Sequence, residues 1–231
     1  MYVTTGGPIS SFFDAVIPVE ETEYVDESHI KILKQMASGQ FVREPGSDIK
    51  QGEVVLEKLQ VIRAAEIGLL ATVGRVRGIK VFRKPVIGLL STGNEIVDAG
   101  TEILDDGKIR DSNKLMLTAI LKELQVAREI KDYGAVGDTE EELHSAMQRA
   151  TSECDIVVTS GGVSMGEMDL VKPYIESKGE VYFGRLNMKP GKPTTFGKLN
   201  KALIFALPGN PVSAFVTAHL FVVPSAKILS G

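Results

Sequence analysis

Short polar loops in this chain carry the residue types that chemistry needs. Glu95 lies in STGNE, Asp111 in IRDSN, Asp138 in VGD, and Asp169 closes TSGGVSMGEMD. Carboxylates from separate segments, gathered at one place, can hold a hard cation such as Mg2+ through oxygen ligands. In TSGGVSMGEMD the adjacent Gly161 and Gly162 permit positive φ and let backbone N–H groups converge on an anion. Ser164 adds a hydroxyl there, and Asp169 is placed to cap a following helix. NMKPGKPT sets Lys189 and Lys192 on either side of a Pro-Gly turn, with Arg185 four residues upstream; such a set suits a phosphate or another oxyanion. LPGNPVSAF puts Asn210 at a helix N-cap and Pro211 at the first helical position, and a helix start also favours an anion. Each feature has a local explanation as well. The glycines fit a tight strand-to-helix turn, the lysines a solvated one, Asp111 or Ser112 a helix cap, and Thr139 with Glu142 a capping box just after Asp138.

Spacing excludes the familiar alternatives. The glycines do not follow GxGxxG, and Leu186 stands where a P-loop would need its first glycine. Cys154 is the only cysteine, which leaves no intramolecular disulfide and no cysteine metal cluster, and His29, His144 and His219 show no ligand spacing. With 26 basic against 30 acidic residues and a formal charge of −4, the chain lacks the broad basic surface of a general nucleic-acid binder. No apolar run approaches the roughly 20 residues that span a bilayer, and MYVTTGGPIS has neither the charged nor the apolar part of a signal peptide. The expectation is a cytoplasmic protein with no nucleic-acid partner and no membrane span.

The 231 residues, 43% of them hydrophobic, suffice for one large domain or one with a smaller neighbour. Residues 1–84 read as a partial, mainly β domain, with alternating runs such as DAVIPVEE and GEVVLEKL, followed by a linking helix over Gln60–Val73. Val61, Ala65, Gly68 and Leu69 share that helix's face. Residues 85–231 read as an α/β domain. PVIGLLSTG, AREIKDYGAV, DIVVTS, VYFGRL, TTFGKL and ALIFAL are strands. Leu117, Ile120, Leu121 and Leu124 make one helical stripe, and Leu143, Ala146, Met147 and Ala150 a second. LVKPYIESK is a short helix, and a last helix from Asn210 carries Val212, Phe215, Val216, His219 and Leu220 on one face. The alternation predicts a mostly parallel sheet flanked by helices, with ligands beyond the carboxyl ends of its strands, where the polar loops fall.

In order and spacing, REPGSDI, AAEIGLLAT, STGNE, IRDSN, VGD, TSGGVSMGEMD, MKPGKPTTFGK and LPGNPVSAF together resemble one family across nearly the whole chain. It is the molybdopterin molybdotransferases of molybdenum cofactor synthesis, which include bacterial MoeA and the E domain of gephyrin. The resemblance implies a molybdopterin-binding fold and an enzyme that joins molybdate to adenylylated molybdopterin, with Mg2+, releasing AMP. It places Glu95, Asp138 and Asp169 around the metal and, with Asp48, in catalysis. Ser160, Gly161, Gly162, Ser164, Arg185, Lys189, Lys192, Pro208, Asn210 and Pro211 are expected around the pterin substrate, its phosphates and molybdate. The resemblance also implies a homodimer, in which Asp48 serves the partner's site, and an adenylyltransferase domain or partner that supplies the substrate.

Departures from the family pattern bear on this reading. The usual STGDE is here STGNE, so Asn94 removes one negative charge from the expected metal site, although its amide oxygen remains a ligand candidate. GGPISSFFDAV carries Phe12 and Phe13 where the family has Gly-Ala before the acid. Against the family pattern the chain is expected to be truncated at both ends, lacking a helical dimerisation region before it and a β-barrel domain after it. Two other roles stay open: a gephyrin-like scaffolding module that binds receptor loops, and a pterin-binding fragment without turnover.

Overall fold

The computed structural model describes residues 1–162 and 170–231. They divide into two compact units, Met1–Arg77 and Gly78–Gly231. In the first, β1 (Thr22–Tyr24) pairs antiparallel with β2 (Ile30–Ile32), and α1 (Ala64–Thr72) follows, starting later than the sequence suggests. DAVIPVEE and GEVVLEKL are not strands, and α1 carries no buried residue. The reason is visible in the burial of this unit, where no side chain is fully covered; a three-residue strand pair has no core face to set a longer ladder.

The second unit is built on a six-stranded sheet in the order β6-β3-β7-β10-β9-β8. Its strands are β3 (Val86–Thr92), β6 (Glu129–Val136), β7 (Ile156–Ser160), β8 (Glu180–Phe183), β9 (Thr195–Leu199) and β10 (Ala202–Leu207). All but β9 run in one direction, so the sheet is mixed with a parallel centre. A separate short pair, β4 (Ile96–Val97) and β5 (Ile109–Arg110), leads into α2 (Ser112–Glu123). The other helices are α3 (Glu140–Glu153), α4 (Val171–Lys178), α5 (Pro211–Thr217) and α6 (Val223–Leu229).

Strand periodicity sorts the core into two layers. Ile87, Leu89, Ile156, Val158, Phe205 and Leu207 pack with Leu117, Ile120 and Leu121 of α2 and with Val222, Val223 and Ala226. Their alternate neighbours Leu90, Val157, Ile204 and Ala206 pack with Leu143, Met147 and Ala150 of α3 and with Val171 and Ile175 of α4. Successive side chains of a strand point to opposite faces, so helices cover both sides and the central strands are apolar throughout. Leu124 differs from expectation: it lies past the end of α2 and is 39% exposed.

The closing helix also differs. A π-helical turn, Ala218–Val222, closed by Val223 N–H to the Ala218 carbonyl, joins α5 to α6, and Pro224 just after it has no N–H to give to the preceding turn. The resulting helical run Pro211–Leu229 is 19 residues long and apolar enough to cross a membrane by length and composition, longer than the sequence suggested. Its inner face is Ala214, Thr217, Ala218, Val222, Val223 and Ala226, and Val212, Phe215 and Leu220 point outward instead. Ala218, Val222, Val223 and Ala226 of this face pack on the strand residues of the core.

Candidate functional site

The geometry of the site follows from strand order. The chain leaves β3 for α2 on one face of the sheet, leaves β7 for α4 on the other, and leaves β10 for α5 on the first. At β7 the connections diverge, and such a switch point opens a crevice beyond the carboxyl ends of the strands. Because β9 is antiparallel, the 184–194 loop between β8 and β9 lies at this same edge.

On the β6-β3 side two loops clasp each other. The Asn94 N–H donates to Asp138 Oδ2 at 3.0 Å, and the Asp138 N–H donates to Asn94 Oδ1 at 3.3 Å. Lys108 Nζ holds the Asn94 carbonyl at 2.6 Å. The Asn94 amide oxygen, a ligand candidate on sequence grounds, is therefore engaged inside the protein. Gly93 has φ +132°, and a Cβ there would lie 2.5 Å from Glu95 Oε2, so the Glu95 carboxylate folds back beside it. Glu142 approaches from α3, its Oε2 lying where a Cβ on Gly137 would sit. Thr139 caps α3 through Glu142 N–H at 3.3 Å, but the reciprocal bond of the expected capping box, from Thr139 N–H to the Glu142 side chain, does not form.

At the end of β7, Gly161 (φ +88°) and Gly162 (φ +62°) are consecutive left-handed residues. Each lies against Thr92: added Cβ atoms would sit 2.5 Å from its carbonyl oxygen and its hydroxyl, respectively. Thr92, Gly137, Asp138 and Gly162 line a small crevice floored by Leu143 and Val171. Ser160 is buried, its Oγ 3.3 Å from Ser91 Oγ, which donates to Asp111 Oδ2 at 2.6 Å. Asp111 also caps α2 through Lys114 N–H.

Beyond β10, Pro208 is buried, while Asn210 caps α5 by accepting from the Val212 and Ser213 N–H groups at 3.1 and 3.2 Å. Pro211 begins the helix. Arg185, Lys189 and Lys192 are exposed, and none forms an ion pair among the described residues. Their loop is closed by Leu186 N–H to the Lys192 carbonyl at 2.9 Å and contains a cis Lys189–Pro190 bond. Gly191 presses it on α5, where a Cβ would lie 2.6 Å from Thr217 Cγ2.

The edge thus brings together Glu95, Asp138, Ser160, Gly161, Gly162, Pro208, Asn210, Pro211 and the cation loop. Ser164 and Asp169 lie outside the described residues, and α4 starts from Leu170 with no side-chain cap. Asp48 belongs to the first unit, where it pairs with Arg43. No group of three metal-ligating side chains occurs among the described residues. Sequence reasoning missed Ser91, Thr92, Lys108, Asn113 and a site position for Glu142. The signal for the first two was the repeated Ser/Thr pair that ends β3 and β7.

Residues 1–74 match the MoeA N-terminal region (domain I and II), and residues 88–227 match the family described as a probable molybdopterin binding domain. The chain belongs to the molybdopterin-binding family. Within it, the chain is 42% identical to gephyrin of Dictyostelium discoideum over 99% of its own length and 35% of that protein's. It is 39% identical to a molybdopterin molybdenumtransferase of Haemophilus influenzae, over 99% of this chain and 56% of the relative. A crystal structure of a MoeA protein of molybdopterin biosynthesis from Pyrococcus horikosii superposes with a TM-score of 0.74 at 36% identity, over 94% of this chain and 53% of that one. The chain spans about half the length of these bacterial and archaeal family members.

Proposed function

We propose that this edge binds adenylylated molybdopterin and molybdate and catalyses formation of the molybdenum cofactor with release of AMP, in the cytoplasm and as a homodimer. One observation carries the reading. The acids on β6 and β3 and the cations beside β9 sit at opposite ends of one edge, separated by up to four strand spacings, or roughly 19 Å. Such a span suits an extended ligand, with a cation-bound phosphate at one end and a second anionic part at the other. The names of the bacterial relatives, molybdopterin molybdenumtransferase, agree with it.

The acid end fits Mg2+ of the kind held by one or two carboxylates together with substrate phosphates. Asp138 commits one carboxylate oxygen to Asn94 N–H, leaving the other to face a cation, and the Glu95 carboxylate lies against Gly93 at the end of the neighbouring strand. Bound there, the ion would withdraw charge from the phosphoanhydride as AMP leaves. The chain's own residues supply orientation and exclusion of water. Gly161 and Gly162 let the backbone approach the ligand closely, and Lys189, Lys192 and Arg185 attract molybdate without a large rearrangement of the stiff Pro-Gly turn. In a homodimer, Asp48 of the first unit is assigned to the partner's cleft.

The test is titration of adenylylated molybdopterin into the protein with Mg2+ and molybdate, following binding and AMP release. Wild type is expected to bind, and Asp138→Ala to reduce AMP release by about a hundredfold with little change in the melting transition. Equal release by wild type and variant, or no binding by wild type, overturns the reading.

A further inference from the structure

Beneath the crevice lies a polar network that substrate binding alone does not require. Ser91, Ser160, Asp111 and Asn113 are 1%, 5%, 4% and 8% exposed, all buried at the ends of β3 and β7 and in the start of α2. Ser91 spends its one hydroxyl proton on Asp111 Oδ2, 2.6 Å away. The 3.3 Å contact between the Ser91 and Ser160 hydroxyls then has Ser160 as donor. The chain of hydrogen bonds runs in one direction, from β7 through β3 to the carboxylate, and a charged acceptor at its end strengthens each link.

The same turn of helix reaches the other glycine loop. Asn113 Nδ2 donates to the Gly209 carbonyl at 2.8 Å. Gly209 faces Gly161, since a Cβ on Gly209 would lie 3.5 Å from Gly161 Cα. Gly161 N–H is bonded to the Leu207 carbonyl at 3.1 Å. Two residues of one helical turn thus hold the last residue of β7 and the loop after β10, the two segments between which Gly161 is set. Lys114 Nζ lies 3.6 Å from Asp111 Oδ2 and 3.1 Å from Asp132 Oδ1, so a cationic side chain stands beside the buried Asp111 side chain.

We infer that Asp111 and Asn113 form a positioning clamp: through Ser91 and Ser160 on one side and Gly209 on the other, they fix the Gly161–Gly162 backbone in its ligand-ready geometry. Asp111 acts through its neighbours and touches no substrate. The ligand consequence rests on the molybdotransferase reading; the backbone consequence does not.

Asp111→Asn separates the clamp from the helix cap. The asparagine oxygen still accepts from Lys114 N–H, but its amide now faces the Ser91 hydroxyl and removes the acceptor that orders the chain. Amide hydrogen exchange at Gly161 and Gly162, compared with Met147 in α3, is the primary measurement. The glycine amides are expected to exchange about tenfold faster while Met147 stays at the wild-type rate, and affinity for adenylylated molybdopterin to fall by a similar factor. Ser91→Ala should give the same local loosening, and the double variant no more than either single one, because the residues act as one chain. Unchanged glycine exchange, or a uniform rise that includes Met147, overturns the clamp. Should wild type fail to bind the pterin nucleotide, the functional reading falls and the exchange comparison still decides this one.

Discussion

Gly161→Ala tests the site's backbone geometry directly. Gly161 has φ +88°, and a Cβ there would lie 2.5 Å from the Thr92 carbonyl oxygen, an atom of the sheet backbone that has little room to retreat. Two costs add: a left-handed non-glycine residue, about 1–2 kcal/mol, and overpacking against backbone, about 1–3 kcal/mol. A total near 3 kcal/mol, at about 2–4 °C per kcal/mol for a unit of this size, lowers the melting temperature by about 6–12 °C. Gly134→Ala is the control. Gly134 has φ +81° but nothing within 4 Å of its Cβ position, so it carries the conformational cost alone, about 1 kcal/mol or 2–4 °C. Thermal unfolding followed by circular dichroism compares the two. Equal shifts would refute the argument that Thr92 and Gly161 are locked in contact.

Asn210→Ala removes both hydrogen bonds that start α5 and is expected to cost about 1 kcal/mol, with Asn210→Asp restoring it, as read by chemical denaturation. Asp155 grips the start of β3: Arg83 donates to both its carboxylate oxygens at 2.5 and 2.6 Å, and Val86 N–H adds a third bond. The Arg83 pairing, foremost, holds the Asp155 carboxyl below its ordinary 3.8, against the opposing effect of burial. Its contribution is therefore present above pH 3.8 and is lost as pH falls through the lowered folded value; Asp155→Asn should flatten this part of the acid unfolding curve. Asn94→Asp returns a negative charge next to Asp138, so Mg2+ affinity measured by calorimetry should rise, on the order of tenfold, while the metal-free protein melts slightly earlier.

The α/β half of the chain was legible because its strands are short, apolar and separated by helices whose stripes recur at helical spacing. Ile87 through Leu90 and Ile156 through Val158 have no alternative to burial on both faces. In the closing helix bulk is a poor guide to the inner face: Val212, Phe215 and Leu220 have the bulk of a core face, yet Ala214, Ala218 and Ala226 are the buried residues. In the first unit, alternation in DAVIPVEE suggested strands that need a buried face to exist, and none is present there. For the site, acids and glycines announced themselves through their loops. Ser91 and Asn113 did not, since their roles depend on which strands become neighbours, and sequence carries that order only through the finished topology.

The reversed strand β9 has a consequence for how such a site can change. The carboxylates are carried by β6 and β3 on one flank, whereas the cation loop is the bend of a β8-β9 hairpin on the other. A hairpin can be lengthened, shortened or slipped in register without disturbing parallel strands whose crossovers pass through helices. Residues 184–194, which carry Arg185, Lys189 and Lys192, can thus vary while the acidic flank stays intact. The fold separates the inheritance of its two charges.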